Sequence, residues 1–267
     1  MKEKMKRIMD RFHAYNAPDM AAMAFGLDAA EKYDALVVAP SYTPYKLGME
    51  SLCDVTELRH GVYIGGYLVE KDGLKIAWIQ TAAGACNLID HLSVCAELMF
   101  RHLIFIGAVG ALKAGIGLGE LYTPSECVSG PGAIDYLKDR LPAPETLERV
   151  IPDPAFPDRL IAEAAKAGME LKKGSVYCTQ SVALEYSHLE EIRAFGTDLI
   201  EMETAAFSKM AELLEVPAAA LLVVSDNSAS GVALVGRTEE EEARYNLGRR
   251  QLLPALILTA AGMDRQL

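Results

Sequence analysis

The segment 197-TDLIEMETAAFSKMAELLEVP-217 decides the fold, because it passes from a strand into a helix and carries two carboxylates at the junction. Its first residues suit a strand end, and helical periodicity begins at Thr204. In an extended chain, residues i and i+2 share a face, so Glu201 and Glu203 should point the same way, with Met202 opposite. Carboxylates are rarely buried without a partner. The pair is therefore either a helix cap beside a solvated glutamate or part of a binding site.

Short apolar runs alternate with amphipathic segments along the rest of the chain. Five runs predict buried strands, and Asp72-Gly73 after 61–70 predicts a hairpin. The strands are expected at 35–39, 74–80, 102–107, 174–179 and 217–225, and helices at 87–100, 156–169, 204–215 and 238–261. This alternation predicts an α/β fold with a mixed central sheet flanked by helices. We expect a single domain over 1–267, with an N-terminal helical extension at 1–33 and a surface excursion at 129–158.

Composition limits the class of protein. The chain has 267 residues and a formal net charge of −11, without a basic patch, which argues against binding to nucleic acid or to an anionic membrane. The five cysteines are scattered, so neither a disulfide framework nor a zinc site is expected. No apolar window is long enough to span a membrane, and the first residues lack a signal-peptide core. We therefore expect a cytoplasmic protein.

Two segments follow predicted strands, where α/β sheets bind their ligands. The glycines of 107-GAVGALKAGIGLGELYTP-124 predict a tight turn. Taken alone, these glycines are a weak match to a dinucleotide-binding motif, because the acidic residue of a ribose-binding Rossmann site is missing. The alternative is that they form a turn between two strands. Asp226 follows the run 217–225 and suits either a site residue or an Asx-turn.

Four segments in this order resemble the nucleoside phosphorylase superfamily, the branch with purine nucleoside phosphorylase, uridine phosphorylase and the nucleosidases. They are 107-GAVGAL-112, 119-GELYTP-124, 200-IEMETAAFSKMAELLEVP-217 and 224-VSD-226. The resemblance extends from about residue 35 to about residue 260. The stretch 231-GVALVGRTEEEE-242 is most similar to uridine phosphorylase, whereas Ser225-Asp226 is more similar to the purine enzymes and nucleosidases.

The resemblance implies roles for the carboxylates. Glu203 would bind the ribose hydroxyls, because an ionised carboxylate accepts hydrogen bonds from both groups of a vicinal diol. Met202 would pack against the sugar, and Glu201 would support the site. Asp226 would be the general acid that protonates the leaving base.

The resemblance also implies where the base would lie. In the segment 177-YCTQSVALEYSHLEE-191, Gln180, Glu185 and Tyr186 are candidates for contacts with the base. Arg237 falls where uridine phosphorylase has a base-contacting arginine. For each of these residues the alternative is an ordinary loop or surface side chain.

The phosphate motifs of the family are altered. The first loop, 39-APSYTPYKL-47, has no Gly-Asp-Pro and no arginine, although Lys46 could substitute in part. The second, 82-AAGACNLID-90, keeps Gly84, and the third, 105-FIGAVG-110, has Phe105 for arginine and Ala108 for a hydroxyl residue. Arg59 aligns loosely with an arginine that relatives lend across a dimer interface. Phosphate needs charge-assisted donors, so an ordinary phosphorylase is not expected.

We therefore expect cleavage of the N-glycosidic bond of a nucleoside, with a purine nucleoside favoured over a pyrimidine one and hydrolysis favoured over phosphorolysis. The first loop offers no glutamate to activate water, so a nucleoside-binding protein without turnover is the alternative. A dinucleotide-dependent enzyme is a third and weaker hypothesis. No metal or organic cofactor is implied, phosphate is a possible second substrate, and a homodimer or a ring of dimers is expected.

Overall fold

The computed structural model describes residues 1–17 and 19–265, and its ten strands form one mixed sheet flanked by helices, which confirms the predicted fold class. The strands are β1 (Lys32–Pro40), β2 (Asp54–Arg59), β3 (Gly65–Lys71), β4 (Leu74–Thr81), β5 (Met99–Ala111), β6 (Leu121–Ser129), β7 (Arg149–Val150), β8 (Leu171–Cys178), β9 (Leu199–Glu201) and β10 (Ala218–Asn227). The helices are α1 (Glu3–His13), α2 (Met20–Phe25), α3 (Ala85–Val94), α4 (Ala155–Lys166), α5 (Val182–Glu185), α6 (Leu189–Ala194), α7 (Thr204–Leu214), α8 (Glu239–Leu247) and α9 (Leu253–Gly262).

Half of the sheet closes on itself. The strand order is β10-β6-β8-β9-β5-β1-β4-β3-β2, with β7 beside β6, and β10 also pairs with β5. The strands β5, β9, β8, β6 and β10 therefore form a closed strand circuit, from which β1, β4, β3 and β2 extend as an open wing. The carboxyl ends of β8, β9 and β10 come together in this circuit, and the acidic segments follow them.

The strand β5 shows how the core is divided between the two faces. Leu103 and Phe105 pack in a cluster with residues of α1, α3 and α7, whereas Ile104 and Ile106 pack in a second cluster with residues of α4 and α9. All four side chains are fully buried. A continuous apolar run is what a strand covered on both faces requires. None of the helices in the described ranges is long and apolar enough to cross a membrane.

The predicted hairpin is confirmed. Strands β3 and β4 pair antiparallel from Gly65↔Gln80 to Lys71↔Leu74. Asp72 and Gly73 form the two-residue turn, with φ of 49° and 74°. Positive φ at both positions is what a type I′ turn demands, and it matches the twist of the two strands.

Two predicted helices have different limits. The helix expected at 87–100 ends at Val94, and Met99 already pairs with β1 at Lys32. The helix expected at 238–261 is interrupted by a π-helical turn at Gly248–Leu252, just before Pro254 near the start of α9. Proline has no N–H to donate into the preceding turn, so the backbone rearranges there.

The turn between two strands that was predicted for 107–124 begins only after Ala111, in the loop that joins β5 to β6. The glycines of 107–112 lie within β5 instead. Strand β5 continues to Ala111, and Gly107 pairs with Leu222 of β10. The loop that follows leads into β6, a strand that the sequence did not predict, and not into a helix. The dinucleotide hypothesis needs a glycine turn before a helix, so it loses its structural basis.

The N-terminal extension and the surface excursion both contain regular secondary structure. The N-terminal extension consists of α1 and α2, and β1 already begins at Lys32. The excursion at 129–158 contains β7, which pairs with β6, and ends in the first turn of α4. Its Tyr136 is buried and shares a 3.1 Å hydrogen bond with the hydroxyl of Tyr177.

Candidate active site

Glu201 is the cap of helix α7. It ends β9, and its carboxylate accepts hydrogen bonds from the N–H of Glu203 (2.6 Å), from the N–H and hydroxyl of Thr204 (3.0 and 2.8 Å) and from the thiol of Cys178 (3.0 Å). A helix begins with unpaired N–H groups, and an acidic group there satisfies them. The capping alternative therefore accounts for Glu201, which has no hydrogen-bonding capacity left to spare for a sugar.

Glu203 has a different environment. Its side chain is buried, and the backbone N–H of Gly84, at the start of α3, donates to its Oε1. Burial raises the pKa of Glu203, and the nearby charge of Glu201 raises it further, although the Gly84 N–H acts in the opposite direction. Glu203 is not a solvated glutamate. It is a buried acceptor that the backbone N–H of Gly84 holds in place.

Asp226 lies near the carboxyl end of β10, where the register between β10 and β5 shifts. Such a bulge redirects a side chain. The hydroxyl of Ser225 donates to Asp226 Oδ1 at 2.6 Å. Asp226 packs against Gly110 of β5, where a Cβ would lie 2.8 Å from Oδ2. Burial raises the pKa of Asp226, whereas Ser225 and Arg237 act to lower it.

Arg237 is fixed beside Asp226. Its Nε donates to the carbonyl of Ser225 at 2.8 Å, and its Nη1 lies 3.1 Å from Glu242 Oε2. The guanidinium stacks on the ring of Tyr245, 4.3 Å from the centroid, and only 12% of the side chain is exposed. These contacts exclude the simple surface alternative for Arg237.

The base-contact candidates after β8 are close to Asp226. Ser181 caps the short helix α5 by accepting from Leu184 N–H, and α5 ends at Glu185. Glu185 is buried, and burial together with the charge of Asp226 raises its pKa to about 8. Partial burial raises the pKa of the half-exposed Tyr186, and the charges of Asp226 and Glu185 raise it further. Gln180 lies in the half-buried link between β8 and α5.

The four candidates for an anion site are not assembled into one. The Gly84 N–H is used by Glu203, and Lys46 Nζ donates to the carbonyl of Ser41 at 2.7 Å. Ala108 pairs with Val223 inside the sheet and offers no side-chain donor. Arg59 is exposed on β2, which β3, β4 and β1 separate from β5. Phe105, in the third altered motif, is buried against Phe207, with ring centroids 5.5 Å apart.

The first loop is held by aromatic side chains. The hydroxyls of Tyr42 and Tyr245 are 2.8 Å apart, and Trp78 Nε1 donates to the carbonyl of Tyr42 at 3.1 Å. The ring of Tyr245 also stacks against Arg237, so a single side chain contacts both the first loop and the arginine beside Asp226. The sequence did not indicate this connection.

Asn227 fixes the loops beside Asp226, and the sequence analysis missed it. Its Nδ2 donates to the carbonyls of Lys113 and Ile116 at 3.1 and 2.9 Å, and its Oδ1 accepts from the N–H groups of Ala229 and Ser230. It ties together the loops after β5 and β10 on either side of Asp226. The asparagine directly after Asp226, before a Ser/Gly-rich stretch, is an Asx-turn signal that could have identified it.

A cavity of about 620 Å³ lies away from these carboxylates, at the amino-terminal end of β10. Its lining includes Pro124, Phe156, Phe207 and Val216, and contains none of Glu185, Glu201, Glu203 and Asp226. The candidate site is therefore placed on the buried carboxyl groups and not on this cavity. Within 1–17 and 19–265, no three His, Cys, Asp or Glu side chains are arranged to hold a metal ion, and the five cysteines are free thiols.

Comparison with known proteins defines the class to which this fold and site correspond. A family model described as the phosphorylase superfamily matches residues 51–257. The chain belongs to the phosphorylase superfamily, which confirms the resemblance stated from the sequence.

Three solved structures share the fold. The 5′-methylthioadenosine/S-adenosyl homocysteine nucleosidase of Campylobacter jejuni is 17% identical over 85% of this chain and 97% of its own, with a TM-score of 0.66. The uridine phosphorylase of Vibrio fischeri is 18% identical over 88% and 93%, with a TM-score of 0.67. The purine nucleoside phosphorylase of Toxoplasma gondii, in complex with immucillin-H, is 16% identical over 88% and 92%, with a TM-score of 0.63. At these identities the likeness establishes the fold and leaves the substrate open.

Proposed function

We propose that the protein cleaves the N-glycosidic bond of a nucleoside, preferably a purine nucleoside, and that water is the nucleophile. The observation that carries this proposal is the presence of two buried carboxyl groups, Glu203 and Asp226, at the carboxyl ends of β9 and β10 in the closed strand circuit. Membership of the phosphorylase superfamily supports the general reaction.

Glu203 binds the ribose in this proposal. Its carboxylate accepts from the backbone N–H of Gly84 and retains acceptor sites for the two hydroxyls of a vicinal diol. Met202, which is half-buried next to it, packs against the sugar. Glu201 supports the arrangement as the cap of α7. Departure of the base leaves positive charge on the sugar, and a carboxylate beside it stabilises that charge.

Asp226 delivers a proton to the leaving base. Ser225 and Arg237 orient it, and burial raises its pKa towards the range in which a carboxyl group can act as an acid near neutral pH. Arg237, Tyr186 and Gln180 contact the base. An acidic donor suits a purine, whose imidazole nitrogen becomes more basic as the bond breaks.

The preference for water rests on the anion region. Phosphate needs free cationic donors, whereas Lys46 is bound to the Ser41 carbonyl and the Gly84 N–H to Glu203. Ala108 has no donor to offer. Arg59 could reach such a region only from a second copy of the chain.

Product analysis tests the reaction. The protein is incubated with purine and pyrimidine nucleosides and nucleotides, with and without phosphate, and free base, ribose and ribose 1-phosphate are quantified. We expect free ribose at a rate independent of phosphate, and none from Glu203→Ala or Asp226→Asn. Saturable acceleration by phosphate, with ribose 1-phosphate as product, would contradict the assignment of water.

A nucleoside-binding protein without turnover is the second candidate. It is favoured by one observation: the first loop, 39–47, has no carboxylate to activate water, and its Tyr42 and Lys46 are bound within the protein. It predicts a rise in Tm with a nucleoside and no product from any compound in the panel.

We further propose a homodimer, or a ring of dimers, in the cytoplasm. Val62 and Tyr63, three and four residues after Arg59, are 79% and 72% exposed, which suits a contact with a second copy. Light scattering on the purified protein gives the molar mass, and a monomer at assay concentration would exclude this proposal.

A further inference from the structure

We propose that the cavity at the amino-terminal end of β10 is a second binding site, for an uncharged heteroaromatic molecule that carries a hydrogen-bond donor and an acceptor on its edge. Free nucleobases belong to this chemical class. The cavity has a volume of about 620 Å³, which is in the range of pockets that bind small organic ligands. Its described lining contains none of the carboxyl groups of the candidate active site, so the second site does not depend on the proposed cleavage reaction.

The cavity lies at a gap in the ladder of β6. One side of β6 pairs with β8 along nearly its whole length. The other side pairs with β10 at Leu121 and Tyr122 and with β7 at Cys127 and Val128. In the described part of the chain no strand therefore pairs with residues 123–126 on that side. Helices α4 and α7 cover the gap, and both contribute to the lining of the cavity.

Pro124 explains why the pairing between β6 and β10 stops. The last pair of this antiparallel ladder is Leu222↔Tyr122, so continued pairing would bring Ala220 opposite Pro124. Proline has no N–H, and it cannot donate to the carbonyl of Ala220. Both residues line the cavity, and Ala220 is buried. The carbonyl of Ala220 is therefore an acceptor that the ladder leaves for another molecule.

The direction of this carbonyl follows from the alternation along β10. The carbonyl of Pro217, just before β10, accepts from Leu103 N–H of β5 at 3.0 Å. The N–H of Val224 instead donates to the carbonyl of Glu120, on the side of β6, at 3.0 Å. Backbone groups of successive strand residues point to opposite neighbours, and the register shift of β10 lies beyond Val224. Ala220 has the same parity as Val224, so its carbonyl points to the side of β6.

The hydroxyl of Thr123 is a second polar group of the cavity. The side chain is 1% exposed and belongs to the lining. Within 1–17 and 19–265 its Oγ1 has no hydrogen-bond partner. A buried hydroxyl of this kind costs free energy until it is paired, and it can both donate and accept. A ligand with one donor and one acceptor satisfies Thr123 and the carbonyl of Ala220 together.

The walls of the cavity favour a flat molecule. Phe156 of α4 and Phe207 of α7 both line it, and they belong to the two core clusters that cover opposite faces of the sheet. A flat molecule in the plane of the sheet therefore turns its two faces towards these helices and its edge towards the strands. A heteroaromatic ring matches this arrangement, because its faces are apolar and its polar atoms lie at the edge.

The charges around the cavity favour an uncharged ligand. Each lysine and arginine of the lining has a carboxylate within 3.5 Å: Lys2, Arg149, Arg159 and Lys209. Asp153, also in the lining, accepts from the N–H of Ala155 at 2.9 Å. A charged ligand loses its hydration on burial and needs a free counter-charge in return. The paired side chains of this rim do not offer one.

The limits of the gap favour a compact ligand over a peptide. Pairing with β10 closes it at Tyr122 and pairing with β7 closes it at Cys127. The four residues between them span roughly 13 Å of strand. A polypeptide that adds to a strand needs an open end through which it continues, whereas a single ring system fits between two closed ends.

Methyl NMR of protein labelled on alanine and methionine tests the site and locates the bound molecule. Ala219 and Ala220 line the cavity, whereas Met202 lies beside Glu203 in the candidate active site. We expect uracil and adenine to shift the Ala219 and Ala220 signals in a saturable way. 1,3-Dimethyluracil has no N–H to donate to the Ala220 carbonyl, so it should bind about tenfold more weakly than uracil.

Variants test the polar groups and the space. Thr123→Val keeps the shape of the side chain without the hydroxyl, and it should weaken uracil binding, read from the Ala220 signal, by about five- to tenfold. Thr197→Val is the matched control, because Thr197 is also buried with an unpartnered Oγ1 but is not part of the cavity lining. Ser208→Phe, from the half-buried wall on α7, fills the cavity and should abolish the ligand-induced shifts. Comparable Tm values show that the variants are folded.

Four results would overturn the proposal. Ala219 and Ala220 signals that stay constant with both bases up to their solubility limits mean that the cavity is not a base-binding site. A shift of Met202 alone places the base in the candidate active site only. Equal affinities for uracil and 1,3-dimethyluracil, or for wild type and Thr123→Val, remove the polar recognition. Saturable shifts with tetra-alanine and none with the bases would show that the gap accepts a strand instead.

Discussion

The carboxylate of Glu201 accepts a hydrogen bond from the backbone N–H of Glu203 at 2.6 Å, so one carboxylate of the pair positions the other. Glu201 also accepts from Thr204 and fixes the first turn of α7, from which the Glu203 side chain extends to Gly84. The two glutamates therefore have different structural environments and different roles. One holds the backbone, and the other retains acceptor sites for a ligand.

Replacing Glu201 should act on stability. Glu201→Ala leaves the buried N–H groups of Glu203 and Thr204 without acceptors, so we expect a loss of about 2–4 kcal/mol in the free energy of unfolding. Urea denaturation measures it, with the exposed Glu170→Ala as control. Glu203→Ala removes no cap of this kind and should cost less. Equal losses for the two variants would contradict the division of roles.

The affinity for a nucleoside should depend on pH through Glu203. Burial and Glu201 raise the pKa of this carboxyl group, and a diol needs the ionised form as acceptor. Affinity should therefore increase as pH rises through that pKa, by up to about tenfold per pH unit. Calorimetric titrations from pH 5 to 9 measure the trend. Glu203→Gln should bind weakly with a flat profile, and a wild-type affinity independent of pH would contradict the role.

Gly110 should be essential because of the space it leaves. A Cβ there would lie 2.8 Å from Asp226 Oδ2 and 3.0 Å from the Ile200 side chain. Gly110→Ala should displace the Asp226 carboxyl group and lower kcat/KM on the order of 100-fold, with a loss of about 1–3 kcal/mol in stability from overpacking. Gly262→Ala, where a Cβ has no close neighbour, is the control. Normal activity in Gly110→Ala would show that Asp226 can move without consequence.

Arg237 should set the protonation of Asp226. Its positive charge lowers the pKa of that carboxyl group, so Arg237→Gln should raise the pKa further, and Asp226 should stay protonated to higher pH. Carbon NMR of labelled aspartate follows the titration directly. Arg244→Gln, an exposed position on α8, should leave the titration unchanged. A pKa unaffected by Arg237→Gln would mean that Ser225 alone stabilises the carboxylate.

Glu185 should also make stability depend on pH. Its pKa is about 8 in the folded protein, against a usual 4.5, so the stability it contributes is full below pH 4.5 and is lost as pH rises through 8. The Tm of Glu185→Gln relative to wild type should therefore increase across this interval, by the equivalent of at most about 5 kcal/mol. A difference in Tm that stays constant from pH 5 to 8.5 would show that Glu185 is ionised throughout.

The sequence predicted the parts of this molecule that local pattern controls. The β3–β4 hairpin follows from Asp72-Gly73, and the start of α7 at Thr204 follows from helical periodicity. Contacts distant in sequence were not predictable. Gly110 suggested a turn because its need for space comes from Asp226, on the neighbouring strand β10.

The candidate site shows the same limit. Local spacing drew attention to Glu201 and Glu203, but their division of roles depends on Gly84, far away in the chain. Glu185 stood among several polar residues of one loop. Only the convergence of β8 and β10 in the strand circuit brings it to Asp226.

The closed strand circuit has a consequence for self-association. Its members β5, β9, β8, β6 and β10 each pair on both sides, so within the circuit no long strand has an open edge, and the two-residue β7 is the one short strand attached outside it in the described ranges. Within the described ranges the open wing ends at β2, which pairs with β3 alone and carries three charged residues, Asp54, Glu57 and Arg59. Charges on a terminal strand discourage runaway stacking of sheets into fibrils. The fold thus keeps its long exposed edge strand, β2, on the opposite side of the sheet from the buried carboxyl groups of the candidate site.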